Sequence, residues 1–170
     1  MSNRDAFLKM IKKSEGVDKI GDNGYNVLFG STIEHPQLFP TLADGMPDYR
    51  DHPRQEFYIP RLGIKTSAAG AFQIEMHQFD FYKHSLKLPD FGHASQIAIA
   101  MEMIKECHAL PDIDAGNLDA AVAACAHIWA SLPGNNYGQR ENAMSVLTQY
   151  FTESGGTLAA NGVDNDSANS

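Results

Sequence analysis

The sequence predicts an α+β fold, a helical lobe with a small β-containing lobe inserted after its first helix. Three observations carry this. A short apolar stripe near the N-terminus ends at Gly16. Residues 17–66 then lose helical spacing, with turn sequences at Gly21-Asp22-Asn23-Gly24 and Asp44-Gly45 and prolines at Pro36, Pro40, Pro47, Pro53 and Pro60. From Ser67 onward apolar residues again recur every three or four positions, as the faces of helices do. At 170 residues the chain suits one domain with a full-sized core. That domain is expected over 1–158, with the β-lobe at about 17–66. The small, polar stretch 159–170 is too poor in apolar side chains to repay ordering and is expected to be disordered.

In the first helix Phe7, Leu8 and Ile11 face inward, Asn3 is the expected N-cap, and Gly16 is the residue just past the end. Tyr25 to Phe29 reads as a short strand ending at Gly30. Between Ser31 and Lys65 one or two short strands are expected, the stronger at Glu56 to Ile59. So much irregular chain inside one domain suits a lid or the wall of a cleft. Ala69, Phe72, Met76 and Phe79 form the stripe of a helix running from Ser67 to near Leu88-Pro89. Ile97, Ala100, Met101 and Ile104 mark the next, capped by Ser95 and finished before Pro111. Asn117 caps a third that buries Leu118, Ala121, Val122, Cys125 and Trp129. A last helix, Arg140 to about Ser154, buries Ala143, Met144, Leu147 and Phe151 and stops at Gly155-Gly156.

A net charge of −8 argues against nucleic acid, whose phosphates select basic surfaces. No stretch approaches the length of a membrane span, so no stable membrane insertion is expected. Arg4 and Asp5 precede any apolar run, so no secretory leader is expected and the protein should accumulate in a cytoplasm. Cys107-His108 and Cys125-Ala126-His127 match no zinc spacing and read as core cysteines beside ordinary histidines; a disulfide between them is possible but not demanded. No metal or cofactor is expected. The G-x-S-x-G, P-loop and dinucleotide signatures are all absent.

What remains is carboxyl chemistry. Leu8, Ile11 and Glu15 fall on one helical face, which sets a carboxylate on a buried stripe in the last turn. Burial and the negative end of the helix dipole both oppose its ionisation, the condition a general acid needs. A solvated glutamate at the rim is the ordinary alternative for such a position. Glycoside cleavage commonly takes a second carboxyl. Asp18, Asp22, Asp44, Asp48 and Asp51 are candidates, and no spacing singles one out.

Several blocks carry a resemblance: Ser14-Glu15-Gly16, Gly24-Tyr25-Asn26-Val27, Tyr49-Arg50-Asp51-His52-Pro53-Arg54, Thr66 to Gln73, Ile104 to Pro111, and above all Ile128-Trp129-Ala130-Ser131-Leu132-Pro133-Gly134 with Tyr137-Gly138-Gln139. In this order they resemble the lambda-type phage endolysins, the lambda lysozyme family of lytic transglycosylases. The resemblance implies a lysozyme-like fold with the active-site cleft between the lobes. It implies cleavage of the N-acetylmuramic acid–N-acetylglucosamine bond of peptidoglycan with closure of a 1,6-anhydro ring, and hence host lysis. Glu15 matches the family's single catalytic glutamate, acid first and base second, so no partner carboxylate is required. A hydrolysing muramidase on the same fold and a non-catalytic wall-binding virion domain are the alternatives.

The resemblance also points to glycan-contacting positions: Tyr25, Asn26, Asp51, Ser67, Gln73, Tyr137 and Gln139. Tyr137 could stack on a sugar face, and Gln73 and Gln139 could bond N-acetyl or hydroxyl groups. Gln73 could equally bridge the lobes, and Asp51 could simply hold its own turn. Asn26 stands where the family pattern has aspartate, and the segment between Gly30 and Tyr49 is longer than the family's. The acidic balance also departs from the basic charge of many wall-lytic enzymes. Peptidoglycan strands are the expected partner, with a holin needed for access to the wall and a monomer as the simplest state.

Overall fold

The first helix, α1 (Asn3–Ser14), begins at a capping box one residue earlier than expected. Ser2 Oγ accepts from Asp5 N at 3.1 Å, and Ser2 N donates back to the Asp5 carboxylate. Asn3 is thereby released from capping and clamps the far end of the chain: it donates to Thr157 O at 3.0 Å and accepts from Thr157 N at 2.8 Å. Here and below the structure is a computed structural model, which describes residues 1–138 and 140–160. At the other end Gly16 N bonds Lys13 O and Val17 N bonds Lys12 O, the paired closure of a Schellman motif. It needs a left-handed residue at position 16, and Gly16 has φ +73°.

Ala6, Phe7, Leu8, Met10, Ile11 and Ser14 are all buried, covering far more than one stripe of α1. It is therefore the central helix, packed by α6 (Met144–Glu153), α4 (Leu110–Ala115) and α3 (His93–Glu106). The remaining helices are α2 (Met76–Ser85) and α5 (Leu118–Cys125). One apolar core joins them and takes in Leu28 and Phe39 from the β-lobe; Val17, Ile20 and Val27 form a small satellite. The only sheet among the described residues is β1 (Phe57–Ile59) antiparallel to β2 (Ile64–Thr66), with Phe57 opposite Thr66 and Ile59 opposite Ile64.

Several expectations shift. The Tyr25–Phe29 strand reduces to single bridges, because Val27 pairs with Leu38 while Leu28 pairs with Ala69, on a different segment. Residues 67–75 are not helical. Ala69 and Ile74 exchange backbone hydrogen bonds around a tight turn, with Gly70 at φ +78° and Gln73 at φ +49°. Their apolar spacing is that of a turn folded onto the core, and α2 starts only at Met76. The α3 cap is Gly92, because the Ser95 hydroxyl donates to Asp90 instead. Pro111 lies in the first turn of α4, a helix the sequence reading missed, where its missing N–H costs nothing. The Asn117 helix ends at Cys125, so Trp129 is buried from a following turn, its indole N–H donating to Phe72 O at 3.0 Å. The last helix begins at Met144, with Ala143 exposed and Met144 half-buried. Of the tail, Ala159 is tied by its N–H to Gly116 O at 3.0 Å; residues 161–170 lie outside the described residues.

One buried side chain holds the β-lobe against the helices. Gln96 on α3 is fully buried, donates to Tyr25 O and Phe91 O, and accepts from Ala71 N. Every polar atom of the amide is thus used. Gly70 leaves the room for it, since a Cβ there would lie 2.2 Å from Gln96 Oε1.

Candidate active site

Glu15 is the C-cap residue of α1, and its side chain leaves the helix end toward the β-lobe. It lines two adjoining cavities, of about 330 and 200 Å³, that share Glu15, Phe29 and Gln73 and so form one groove between the lobes. The first is completed by Lys13, Gly30, Ser31, Ser131, Arg140 and Asn142, and the second by Thr66, Glu75, Gln78, Trp129 and Tyr137 among others. Burial pushes the Glu15 carboxyl up to about 7, against a weaker opposing effect of the hydrogen bond from Ser131. The two lysines that precede it in sequence do not neutralise it. Lys13 pairs with Glu153 at 3.2 Å, and Lys12 lies over the Tyr25 ring, 4.9 Å from its centroid. A group poised near neutrality can give up a proton and take one back.

The second carboxyl in the groove is Glu75, which the sequence reading did not single out. It accepts from Thr66 Oγ1 at 2.5 Å, Ser67 N at 2.7 Å and Ser67 Oγ at 2.6 Å. These three donors tie its carboxyl group to Thr66 and Ser67 and so join β2 to the start of α2. The aspartates considered from the sequence line neither cavity. Asp22 accepts from Tyr49 and His93, Asp48 from Arg50, and Asp51 from Arg54, while Asp44 closes a turn onto Met46 N.

Among the expected glycan contacts, Gln73 and Tyr137 reach the groove with Glu15. Gln73 is held by its side-chain bond to Gly70 O at 2.9 Å, and Tyr137 by its hydroxyl on His127 O at 2.8 Å. Four others are placed elsewhere. Tyr25 stacks on His93 at 3.9 Å and lines a separate depression with Leu8, Lys12 and Phe72. Asn26 is buried and accepts from Asp22 N at 2.7 Å. Asp51 holds Arg54, which also grips Asp80, and it lines another depression beside Arg50. Ser67 lies behind the groove wall, where it binds Glu75 and accepts from Met76 N. Gln139 lies outside the described residues.

No cluster of three or more His, Cys, Asp or Glu able to hold a metal occurs among the described residues. Both cysteines are free, and Cys107 Sγ lies 3.9 Å from His127 Nε2.

A family model described as Endolysin matches residues 5–158. The chain belongs to the endolysin family. The endolysin of Escherichia phage lambda is 41% identical over 162 residues, covering 92% of this chain and 94% of that protein. The endolysin of Escherichia phage P2 is 37% identical over 164 residues, covering 92% and 95%. Among solved structures, bacteriophage lambda lysozyme complexed with a chitohexasaccharide superposes with a TM-score of 0.80 at 40% identity, over 92% of this chain and 96% of that one. A further structure of the lambda lysozyme gives 0.77 over the same shares. The α+β architecture is accordingly lysozyme-like, and this endolysin is a wall-degrading enzyme of the lysozyme type.

Of the polar residues flanking Glu15 in the endolysin groove, Ser131 and Asn142 went unassigned in the sequence. Ser131 stands in the block Ile128 to Gly134 that carried the family resemblance, so its position was legible and its contact was not. Asn142 and Glu75 carried no local signal at all. Both act through partners brought in by the fold.

Proposed function

We propose that the chain is a lytic transglycosylase in which Glu15 acts alone. Glu15 first donates its proton to the oxygen of the N-acetylmuramic acid–N-acetylglucosamine bond as C1–O cleaves. Its carboxylate then takes the proton of the muramic acid 6-hydroxyl while that oxygen bonds C1, giving the 1,6-anhydro sugar and a Glu15 protonated as at the start. The observation that carries this is the contrast between the two groove carboxyls. Among the described residues Glu15 meets a single protein donor, Ser131, and burial pushes it up to about 7, whereas Glu75 is engaged by three donors from Thr66 and Ser67. A hydrolysing glycosidase ordinarily needs a second carboxylate free to activate water or attack carbon. A single acid that becomes a base does not. The chitohexasaccharide in the lambda lysozyme complex supports a glycan strand as the occupant of the groove, with Gln73 and Tyr137 as the contacts that line it.

Mass spectrometry of muropeptides released from purified sacculi tests the reading. Anhydromuramic ends are expected; reducing muramic ends would establish the hydrolase instead. The same proposal has a monomer accumulating in the host cytoplasm and reaching the periplasmic wall through a holin lesion. No described helix is long and apolar enough to cross a membrane. Expression without a holin should leave cells intact until their membrane is permeabilised.

A further inference from the structure

Glu15 Oε1 accepts from the Ser131 hydroxyl at 2.5 Å, and Ser131 Oγ lies 2.7 Å from Ser14 Oγ. Ser14 Oγ lies in turn 3.2 Å from Asn142 Nδ2. The far end of this chain is anchored on two backbone carbonyls. The same Asn142 nitrogen is 3.1 Å from Ser14 O and 3.3 Å from Ser131 O, and backbone carbonyls only accept. The atom facing them must therefore be the NH₂, which settles the orientation of the amide. Asn142 is fixed further by its own N–H, which donates to Ser131 O at 2.9 Å. The two hydrogens of that NH₂ are shared among Ser14 O, Ser131 O and Ser14 Oγ, Ser14 Oγ donates to Ser131 Oγ, and Ser131 Oγ donates to Glu15 Oε1. Both serines are buried, 8% and 9% exposed, so reversing either would strand a polar group out of reach of water.

We propose that Asn142, Ser14 and Ser131 form a one-way hydrogen-bond chain that reserves Oε1 of Glu15 as an acceptor and so confines the acid proton to Oε2. This rests on Glu15 being the catalytic acid and adds which of its oxygens works. Oε2 makes no protein hydrogen bond among the described residues and is not sealed from solvent. It delivers the proton and afterwards receives the one from the 6-hydroxyl. Ser131 meanwhile donates most strongly to the ionised form, steadying the carboxylate between the two transfers. Ser131, Ser14 and Asn142 are thus positioning residues, drawn from three segments that meet only in the fold.

The other ionisable groups of the groove are Lys13, Arg140, Tyr150, Glu75 and Tyr137. Lys13 is engaged with Glu153, Glu75 with Thr66 and Ser67, and Tyr137 with His127 O, so the chain of hydroxyls is the direct hydrogen-bond influence on Glu15.

The test is a carboxyl NMR titration of Glu15 alongside the pH dependence of kcat, on full-length wild type, Ser131→Ala, Ser131→Thr and Ser14→Ala. Ser131→Ala should move the Glu15 midpoint up by about one pH unit and lower kcat roughly tenfold to a hundredfold, with KM changed less than about twofold. Ser131→Thr keeps the hydroxyl and should restore the midpoint. Ser14→Ala removes the donor to Ser131, together with one acceptor of Asn142, and should shift the midpoint about half as far. An unmoved midpoint in a folded Ser131→Ala overturns the proposal, whether or not activity falls, because a packing role alone would not touch the titration. Should Ser131→Ala not fold, an unmoved midpoint in Ser14→Ala does the same. Failure of the catalytic reading itself shows separately, as a Glu15→Gln variant that still clears sacculi.

Discussion

Glu15→Gln should abolish lysis and at the same time make the protein more stable at alkaline pH. In the folded protein the carboxyl titrates at about 7, against an ordinary value of 4.5, because burial disfavours its charge. Between those two values the folded state holds a proton that the unfolded chain has already lost. The contribution of Glu15 to stability is therefore fully present below about pH 4.5 and is lost as pH rises through about 7. The gap corresponds to about 3 kcal/mol as an upper limit, and solvent in the groove reduces it, so about 1–3 kcal/mol is expected. Glutamine keeps the volume and can still accept from Ser131, but does not ionise. Urea denaturation of both proteins at pH 5 and pH 8 measures the difference. The variant should gain about 1–3 kcal/mol on the wild type between these pH values, or roughly 2–10 °C in Tm. A stability difference that is the same at both pH values would refute the argument. So would a difference that moves toward the wild type between pH 5 and pH 8, since it would mean the native site stabilises the carboxylate.

The remaining predictions concern the frame around the groove. Gln96→Leu leaves Ala71 N, Tyr25 O and Phe91 O unpaired and should cost about 3 kcal/mol or more in chemical denaturation. Gly70→Ala forces a side chain into left-handed backbone and against Gln96, and should cost about 2–4 kcal/mol by the same measurement. Arg54→Ala removes pairs with Asp51 and Asp80 that are half exposed. It should cost no more than about 1 kcal/mol, and a double-mutant cycle with Asp80→Ala should give a smaller coupling in high salt. His52 is buried and neutral, accepting from Arg54 N and donating to Ile74 O, and burial lowers its pKa. Its stabilisation is present above the unfolded value of about 6.5 and fades as pH falls below it. Stability should therefore decline more steeply from pH 6.5 to 5.5 in the wild type than in His52→Gln.

Legibility followed the range of the interaction that decided each feature. The helix carrying Glu15 and its stop at Gly16 were readable because both are settled within a few residues: apolar spacing chooses the buried face, and only glycine adopts the left-handed closure cheaply. The stripe from Ala69 to Phe79 was misread for the complementary reason. Spacing reports apolar residues without saying what backbone buries them: a tight turn pinned by Gly70, Ala69 and Ile74 buries Ala69 and Phe72 as a helix would, but also Ala71 and Ile74 from off the stripe, and leaves Met76 half-buried. Tyr25, Asn26, Asp51 and Ser67 came from matching blocks, which record that a residue belongs at a place without saying which way its side chain faces.

The sequence alone determined that a glutamate would stand at the end of the first helix, on its apolar face, where an irregular lobe begins. It also carried the family, through blocks spread over most of the chain. Only the tertiary structure decided the chemistry of that glutamate. Lys13 is drawn away by Glu153, Ser131 and Asn142 arrive from more than a hundred residues downstream, and Glu75 is spent on Thr66 and Ser67. Acidity depends on burial and on hydrogen-bond partners a few ångströms away, and those distances do not exist until the chain has folded.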